Sequence, residues 1–345
     1  MKRAVIREIA YYLPESVLTN EQLSAEFPDW SVKKIEDKTG IAERRIAAAG
    51  ECASDLAVCA ASKLFSTGCC GPGQIDYLIL CTQSPDYFLP TTACLIQARL
   101  GVPTRAGALD FNLGCSGYVY GLGLAKGLIE TGQAESVLLL TAETYSKFIH
   151  PGDRSVRTLF GDAAAATLVQ AVSAEDGDEY IGPFVYGTDG TGWKNLIVPT
   201  GGMRAPRSNG EAKTDEQGNV RSPDNLYMNG PEIFAFTLGA VPKCVCSLLD
   251  KSGKTIDDID LFVFHQANQY MLEFLRKKLK LPGEKFYLAL RHFGNTVSCT
   301  IPIALRDAIE KGRLLHGNFV MLVGFGVGYS WGATLVRWPG AASRS

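Results

Sequence analysis

The stretch ALDFNLGCSGYVYGLGLAKGLIETG, residues 108–132, decides the fold class of this chain. It joins an apolar run to a glycine-rich segment with helical spacing, and the glycines between them permit a sharp turn. We predict a buried strand that ends at Gly114 and a helix that begins near Ser116. Continuous apolar strands that alternate with helices indicate a layered α/β protein whose sheets are covered on both faces. Four further apolar runs have this character: residues 75–84, 135–143, 259–266 and 318–326.

Two internal similarities indicate that the fold consists of duplicated halves. IDYLILCTQSPD from Ile75 is similar to IDLFVFHQANQY from Ile259, and AAAATLVQ from Ala163 is similar to SWGATLVR from Ser330. Both pairs are separated by similar lengths of chain, as expected for a duplication with an insertion in one copy. The predicted halves are residues 1–174 and residues 175–345.

The second half contains a polar stretch at residues 200–225 that is rich in glycine, proline, asparagine and charged residues. We interpret this stretch as the insertion. Its composition is typical of a mobile surface loop, and the alternative is a cap over a substrate entrance.

The composition excludes several classes of protein. The 345 residues include 34 Lys and Arg against 36 Asp and Glu, a net charge of −2, with 46% hydrophobic and 20% charged residues. Disordered chains have lower hydrophobicity, and proteins that bind nucleic acid by bulk electrostatics have strong positive charge, so we expect neither. No uninterrupted apolar run reaches about 18 residues, so we expect no membrane span.

The ten cysteines are predicted to be reduced and the protein cytoplasmic. Disulfide frameworks are typical of short secreted chains, whereas the N-terminus MKRAVIREIAYYLPES lacks the apolar core and the cleavage site of a signal peptide. Cys69 and Cys70 are adjacent, and one residue separates Cys244 from Cys246. Neither spacing is usual for zinc, so we expect no metal site.

Cys115 differs from the other cysteines because it lies in the turn before the predicted helix of residues 116–132. A thiol at a helix N-terminus is close to the positive end of the helix dipole and to unpaired backbone N–H groups, so we expect its pKa to be lowered. Such a thiolate is a nucleophile, and glycines beside it let a substrate approach. The alternative is a buried cysteine that only fills space.

His265 and Asn295 lie at two further turns of this kind. His265, one of four histidines, follows the strand-like DLFVF and precedes the helical pattern QYMLEFLRKKLKL. Asn295 precedes another helical pattern, where a lone asparagine would usually be a helix cap. Loops beyond strand carboxyl ends are where α/β proteins place their sites, so we predict that the two residues share a site with Cys115.

A Cys–His–Asn set is compatible with two chemistries. One is hydrolysis, although papain-like proteases have their cysteine near the mature N-terminus. The other is carbon–carbon bond formation, in which imidazole and amide stabilise an enolate oxygen. The segment GFGVGYSWGA from Gly324 contains GxGxG but leads into a strand-like run, which excludes a dinucleotide loop. Its backbone N–H groups suit an oxyanion hole instead.

These segments resemble the β-ketoacyl-acyl-carrier-protein synthase III family of thiolase-fold condensing enzymes. The strongest similarities are LGCSGYVYGL around Cys115, HQAN from His265, FGNT ending at Thr296 and the segment from Gly324. Others are KTGIAERRIAA from Lys38, ACLIQARLG from Ala93 and DRSVRTLFGDAAAA from Asp153. The resemblance implies a thiolase-like α-β-α-β-α fold with the nucleophilic cysteine in the first half and the histidine and asparagine in the second.

The resemblance also implies a reaction, the decarboxylative Claisen condensation of an acyl thioester with a malonyl thioester in fatty-acid or polyketide-like biosynthesis. Cys115 would accept the acyl group, and His265 with Asn295 would promote decarboxylation. The backbone N–H groups of Cys115 and Val327 would form the oxyanion hole. The implied substrates are acyl-CoA and malonyl-acyl carrier protein or malonyl-CoA, with no other cofactor, and the implied assembly is a homodimer.

Two alternatives to the condensing enzyme stay open. The first is an acyltransferase or thioester hydrolase that uses the same Cys–His–Asn scaffold without forming a carbon–carbon bond. The second is a binding subunit with little catalysis of its own, which the presence of all three residues disfavours.

Several substrate contacts are implied by the resemblance alone. Phe325 would pack beside the thiol, and Arg154 would contact the pantetheine or nucleotide part of the substrate. Lys38, Asn268 and Leu89 are also predicted to bind substrate. Lys38 replaces the family's usual arginine and loses its planar fork, and Leu89 lies where a partner subunit usually supplies an aromatic residue to the acyl pocket.

Carrier-protein docking is predicted at the basic run Arg276, Lys277 and Lys278. The alternative is a solvated helix face. Tyr270 stands where many family members have an arginine, which weakens the inference of ordinary carrier-protein docking.

Overall fold

The computed structural model describes residues 1–173, 175 and 179–339. The strands are β1 (Lys2–Tyr12), β2 (Ser16–Thr19), β3 (Glu43–Ile46), β4 (Tyr77–Cys81), β5 (Gly107–Phe111), β6 (Ser136–Glu143), β7 (Ala163–Ser173), β8 (Ile181–Thr188), β9 (Leu196–Ile197), β10 (Lys213–Thr214), β11 (Val220–Arg221), β12 (Tyr227–Met228), β13 (Leu261–Phe264), β14 (Phe319–Gly326) and β15 (Ser330–Arg337). The helices are α1 (Asn20–Glu26), α2 (Val32–Thr39), α3 (Ala53–Ser66), α4 (Thr92–Leu100), α5 (Gly117–Glu130), α6 (Arg154–Arg157), α7 (Gly230–Ser252), α8 (Gln269–Lys278) and α9 (Thr300–Glu310).

Two main sheets have the same strand order. The first runs β1-β7-β6-β4-β5, with β4 parallel to β5 and β6, and with β7 antiparallel to β1 and β6. The second runs β8-β15-β14-β13, with β13 parallel to β14, and with β15 antiparallel to β14 and β8. An isolated parallel bridge from Phe262 to Phe286 lies where β5 lies in the first sheet. The two similar sequence pairs form β4 and β13, and β7 and β15.

The elements form five layers. Helices α5 and α9 lie between the sheets, where Val119 and Ile301 share one core cluster with residues of both sheets. Helix α3 covers the outer face of the first sheet, and α7 and α8 cover the outer face of the second. The predicted α-β-α-β-α fold is therefore confirmed. The proposed boundary between residues 174 and 175 stays a prediction, because residues 174 and 176–178 lie outside the described residues.

Helix α7 is long and apolar enough, by length and composition, to cross a membrane. Its buried side chains, among them Val241, Cys244 and Leu248, pack in one core cluster with Phe262 and Met321 of the second sheet. One face of α7 therefore packs on the second sheet as part of the outer helical layer.

The predicted end of the strand before Cys115 is wrong. Strand β5 ends at Phe111, and its residues are only half-buried because β5 is the last strand of the first sheet. Residues 112–116 form the turn, and α5 begins at Gly117 after Ser116, as predicted. The turn is longer than expected, and it places Cys115 beside the second sheet.

Candidate active site

Cys115 is buried at the N-terminus of α5, against the end of β14. A β-carbon on Gly326 would lie 2.8 Å from the sulfur of Cys115, and one on Gly324 would lie 2.7 Å from the Cα of Ser116. Real side chains do not approach so closely, so only glycine at these positions lets the two halves meet at the thiol.

Hydrogen bonds fix the segment after β14 to the N-terminus of α5. The hydroxyls of Ser116 and Ser330 are 2.7 Å apart, and Ser330 donates to the Val327 carbonyl at 2.9 Å. The backbone N–H groups of Cys115 and Val327 lie close enough to the Cys115 sulfur to lower the pKa of its thiol. The two groups predicted to form the oxyanion hole therefore converge on one point.

The expected low pKa of Cys115 is wrong for this structure. Burial raises the pKa of the thiol to about 12, the Glu143 carboxylate contributes in the same direction, and the two N–H groups oppose the shift only in part. Desolvation of the charged form outweighs the helix N-terminus here because almost no solvent reaches the sulfur. At neutral pH the group is a thiol.

Glu143, the last residue of β6, is a wholly buried carboxyl near this thiol. It accepts hydrogen bonds from the Gln83 N–H at 3.0 Å and the Ser298 hydroxyl at 2.7 Å. Burial raises its pKa to about 8 in spite of these bonds. Sequence reasoning missed this residue, although a single acid at the end of the apolar run ESVLLLTAE was a usable signal.

His265 follows β13 and is buried beside Phe325. Its backbone N–H donates to the Val323 carbonyl at 2.8 Å, and its ring lies edge-on to the Phe325 ring with centroids 5.5 Å apart. Its Nδ1 is 2.7 Å from the hydroxyl of Thr300, a residue that sequence reasoning missed. Burial lowers the pKa of His265 to about 3, and the Val297 carbonyl opposes the shift. The imidazole is therefore neutral.

The side chain of Asn295 forms a hydrogen bond with the loop that follows His265, and it does not cap a helix. Its amide nitrogen donates to the Ala267 carbonyl at 3.3 Å, and its amide oxygen accepts from the Val297 N–H at 3.0 Å. Val297 itself shares a hydrophobic cluster with Cys115. The structure thus brings together the three turns of Cys115, His265 and Asn295, as predicted from the sequence.

Lys38 and Arg154 flank one indole ring. The Lys38 amine is 4.9 Å and the Arg154 guanidinium 5.8 Å from the ring centroid of Trp30, which Lys34 also approaches at 5.3 Å. Trp30 was not identified from the sequence, although an aromatic residue close to several lysines was a signal. This group of one aromatic and three basic side chains is a suitable surface for a nucleotide or phosphate.

The polar stretch at residues 200–225 packs over the segment that carries Arg154. The Gln217 carbonyl accepts a hydrogen bond from Arg154, and the Val220 N–H donates to the Gly152 carbonyl at 3.1 Å. Arg221 forms an ion pair with the buried Asp153 at 3.1 Å. Its place beside Arg154 is compatible with the cap interpretation, and its role stays a prediction.

Two other predicted substrate residues are Asn268 and Leu89. Asn268 caps α8, because its side chain accepts from the Met271 N–H at 2.9 Å. Leu89 is 82% exposed and follows the exposed aromatic residues Tyr87 and Phe88. Substrate binding by Asn268 and Leu89 stays a prediction.

The three basic residues of α8 differ in the contacts that they already make within the protein. Arg276 is paired with Glu273 at 2.8 Å, and the Lys278 amine donates to the Leu238 carbonyl at 2.8 Å. Lys277 is exposed. Tyr270 on the same helix is exposed and stacks on Phe234 with centroids 5.8 Å apart.

Comparison with known proteins identifies relatives over the full length of the chain. Residues 109–190 match the 3-oxoacyl-acyl-carrier-protein synthase III family, and residues 249–338 match the C-terminal region of that family. The β-ketoacyl-acyl-carrier-protein synthase III of Caldanaerobacter subterraneus subsp. tengcongensis is 39% identical over 327 residues, which are 95% of each chain.

Solved structures agree with these relatives. A crystal structure of a 3-oxoacyl-acyl-carrier-protein synthase III is 57% identical, with a TM-score of 0.96 over 97% of this chain and 100% of that one. A 3-oxoacyl-acyl-carrier-protein synthase from Burkholderia xenovorans LB400 is 38% identical, with a TM-score of 0.90 over 99% and 96% of the two chains.

Two duplicated α/β halves that meet at a buried cysteine, with histidine and asparagine from the second half, define a thiolase-fold condensing enzyme. The chain belongs to the β-ketoacyl-acyl-carrier-protein synthase III family, which confirms the resemblance seen in its motifs. The prediction of an acyltransferase-type enzyme is confirmed with it.

Proposed function

We propose that the protein joins an acyl thioester to a malonyl thioester by decarboxylative Claisen condensation. The observation that carries this proposal is the convergence of two backbone N–H groups on the sulfur of Cys115, beside a neutral imidazole and an amide. Neutral donors can stabilise an enolate oxygen without protonating the carbanion, whereas a charged imidazole would protonate it more readily.

In the first stage Cys115 attacks the carbonyl carbon of an acyl thioester such as acyl-CoA. The N–H groups of Cys115 and Val327 would hold the tetrahedral oxyanion, and their effect on the pKa of the nearby Cys115 thiol supports this role. The carbon–sulfur bond to CoA breaks, an acyl-cysteine forms, and the thiol proton ends on the departing CoA. Loss of one such donor would raise the activation barrier of this acylation step by about 2.7–4 kcal/mol.

In the second stage a malonyl thioester enters, and His265 and Asn295 hold its thioester oxygen. The bond to the carboxylate breaks, CO2 departs, and the electron pair forms an enolate. The enolate carbon attacks the acyl-cysteine, the β-ketoacyl product leaves, and the Cys115 thiolate takes up a proton. The enzyme is therefore a ping-pong catalyst with a covalent intermediate, and the scheme needs no cofactor other than the two thioesters.

The CoA or pantetheine part of the substrate is proposed to bind beside Trp30, where Lys38 and Arg154 lie over the indole. Their positive charge suits the phosphates of CoA or of a pantetheine arm. Phe325, beside the histidine, and Asn268, at the start of α8, are proposed to line the path to the thiol. The identity of the acyl group is left open by these contacts.

A homodimer is proposed on the edge of the first sheet. Strand β5 is its last strand, and an unpaired strand edge is a template for pairing with another chain. The adjacent turn exposes Phe88 at 79% and Leu89 at 82%, which is unusual for a monomer surface. In such a dimer Leu89 would reach the partner's acyl pocket.

The malonyl donor is proposed to arrive on CoA or on an acidic carrier protein. The candidates for carrier docking are the exposed Lys277 and Lys278, with Arg276 beside them on α8. The family and the absence of any required membrane contact in this scheme support a cytoplasmic location. Either fatty-acid initiation or a specialised pathway is compatible with the site.

Mass spectrometry with acyl-CoA tests the proposal. We expect wild-type protein to gain one acyl group on Cys115, the Cys115→Ala variant to gain none, and addition of malonyl thioester to release CO2 and a β-ketoacyl product. Cys246→Ala is the matched control, because Cys246 is exposed on α7 and should leave acylation unchanged.

Two outcomes would contradict the proposal. Turnover of the adduct to free acid, or to another acceptor without CO2 release, would identify a hydrolase or a simple acyltransferase. Absence of an adduct with every acyl donor tried would indicate a binding subunit.

A further inference from the structure

The hydroxyl of Thr300 forms a hydrogen bond with one of the two ring nitrogens of His265. The Nδ1 to Oγ1 distance is 2.7 Å, and both side chains are 2% exposed. A neutral imidazole carries one proton, so one ring nitrogen donates and the other accepts. With Nδ1 occupied by Thr300, Nε2 is the nitrogen left for a substrate.

Thr300 has two acceptors within reach of its single hydroxyl proton. Its Oγ1 is 2.7 Å from His265 Nδ1 and 3.0 Å from the Val297 carbonyl. If the hydroxyl donates to Val297, Nδ1 must carry the ring proton, and Nε2 presents only a lone pair. If the hydroxyl donates to Nδ1, the ring proton lies on Nε2, and His265 presents a donor.

The second arrangement fits both the geometry and the chemistry. A separation of 2.7 Å is the usual length for an O–H donor and lies at the short end of the range of about 2.7–3.2 Å for N–H donors. An enolate oxygen also needs donors, and a bare Nε2 beside the Asn295 amide would repel it. We propose that Thr300 is a positioning residue that donates to His265 Nδ1 and so keeps the proton on Nε2, facing the substrate. This inference rests on the proposed condensing function.

The backbone around Thr300 supports a positioning role. Val297 adopts a φ of +55°, a left-handed conformation that a β-branched residue rarely takes. The strained residue is held by the Asn295 amide oxygen, which accepts from its N–H, and it begins the short 3₁₀ turn Val297–Cys299 that leads directly to Thr300. Such strain is found where a structure over-determines the position of a functional group. The same turn therefore places both the Asn295 amide and the Thr300 hydroxyl.

Nitrogen-15 NMR of histidine side chains reads the tautomer directly. The chain has four histidines, so a selectively labelled protein gives few signals, and His265→Ala identifies the one from His265. We expect the Nε2–H tautomer in wild type and in Thr300→Ser, which keeps the hydroxyl. In Thr300→Val, which keeps the shape but not the hydroxyl, we expect a shift toward Nδ1–H, because Nδ1 then loses the donor that keeps it an acceptor.

Separate assays of the two half-reactions give the functional readout. We expect Thr300→Val to acylate Cys115 as wild type does, but to release CO2 from malonyl thioester about 10- to 100-fold more slowly, the range for losing the outer hydrogen-bond partner of a metal-bound imidazole. The loss should fall on kcat more than on KM, and Thr300→Ser should restore most of the rate.

An Nδ1–H tautomer in wild type, or an unchanged tautomer in Thr300→Val, would overturn the inference, and the wild-type signal decides the matter even if that variant folds poorly. Equal losses in both half-reactions would indicate a merely structural role. Failure of the proposed function has a different signature, since wild type would then form no condensation product while its tautomer could still be read.

Discussion

The two halves of the molecule use the same strand order but end corresponding strands with opposite chemistry. In the first half β6 ends at the buried carboxyl of Glu143, whereas in the second half the corresponding strand β14 ends at Gly326, against the Cys115 sulfur. A carboxylate near the thiol opposes its ionisation, and a glycine beside it leaves room for a reaction. The two halves therefore share their strand order but differ in the residues at the ends of corresponding strands.

A second pair of equivalent positions shows the same division. Alignment of the two similar segments sets Cys81, at the end of β4, against His265, just after β13. The Cys81 thiol is buried and donates to the Leu113 carbonyl at 2.9 Å, so it stabilises the turn that carries Cys115. One half thus contains the proposed nucleophile and a thiol that supports its turn, and the other contains the proposed donors for the second substrate.

Of the two equivalent positions Cys81 and His265, substitution of His265 should have the largest effect. We expect His265→Ala to reduce condensation about 10²- to 10³-fold, because it removes a donor aimed at the developing enolate. The measurement is CO2 release from malonyl thioester at saturating acyl donor.

Cys81→Ala is the matched control for that substitution. It should reduce condensation far less than His265→Ala does, because Cys81 supports the turn of Cys115 without a proposed contact to substrate. It should also lower the free energy of unfolding by roughly 0.5–3 kcal/mol, the usual range for such a change. Urea denaturation measures the latter. If the two variants lost activity equally, the division of roles between the halves would be wrong.

A smaller effect should follow from closing the space at the end of β14. In Gly326→Ala the new carbon would meet the Cys115 sulfur at 2.8 Å, so the thiol must move away from the Val327 N–H. Displacement of a reacting group by about 1 Å can cost about 10²-fold. We expect a loss of this order in the rate of Cys115 acylation, measured by mass spectrometry over time.

Gly127→Ala provides the comparison, because a β-carbon on Gly127 of α5 meets nothing within 4 Å. Alanine also favours a helix interior over glycine, so this variant should be active and at least as stable as wild type. Full acylation by Gly326→Ala would show that the close approach of the two halves is not needed.

Local patterns in the sequence were sufficient to predict five strands of the two main sheets, β4, β5, β6, β13 and β14, and the turns of the three candidate site residues. Apolar runs followed by turns predicted the positions of Cys115 and His265, and a glycine-containing turn before a helical pattern predicted that of Asn295. Repeated segments predicted the duplication, because β4 and β13 take equivalent places in their sheets.

Properties that depend on distant neighbours could not be predicted in this way. The pKa of Cys115 is set by burial between the halves and by Glu143, not by the helix that follows it. Thr300 reaches His265 only because the strained Val297 turns the chain. The early end of β5 follows from the end of its partner β4, because Phe111 pairs with Cys81, the last residue of that strand, and no pattern within residues 106–113 reveals this.

The smallest effect should come from removing the charge of Glu143 without removing its shape. Its carboxylate raises the pKa of the Cys115 thiol, so Glu143→Gln should lower that pKa and move the pH profile of Cys115 alkylation by iodoacetamide to lower pH. The variant should also alter the pH dependence of folding, because burial raises the pKa of Glu143 to about 8, above an unfolded value of about 4.3.

A carboxyl whose pKa is raised on folding stabilises the protein fully below the unfolded pKa, and this stabilisation is lost as the pH rises through the folded pKa. Wild-type urea midpoints should therefore fall between about pH 4.3 and pH 8, and Glu143→Gln should flatten this fall. Glu135→Gln, at an exposed residue paired with Lys2, should change neither profile. An unchanged alkylation profile in Glu143→Gln would mean that the carboxyl is protonated throughout the range in which the thiol ionises, and that burial alone holds Cys115 as a thiol until an acyl thioester arrives.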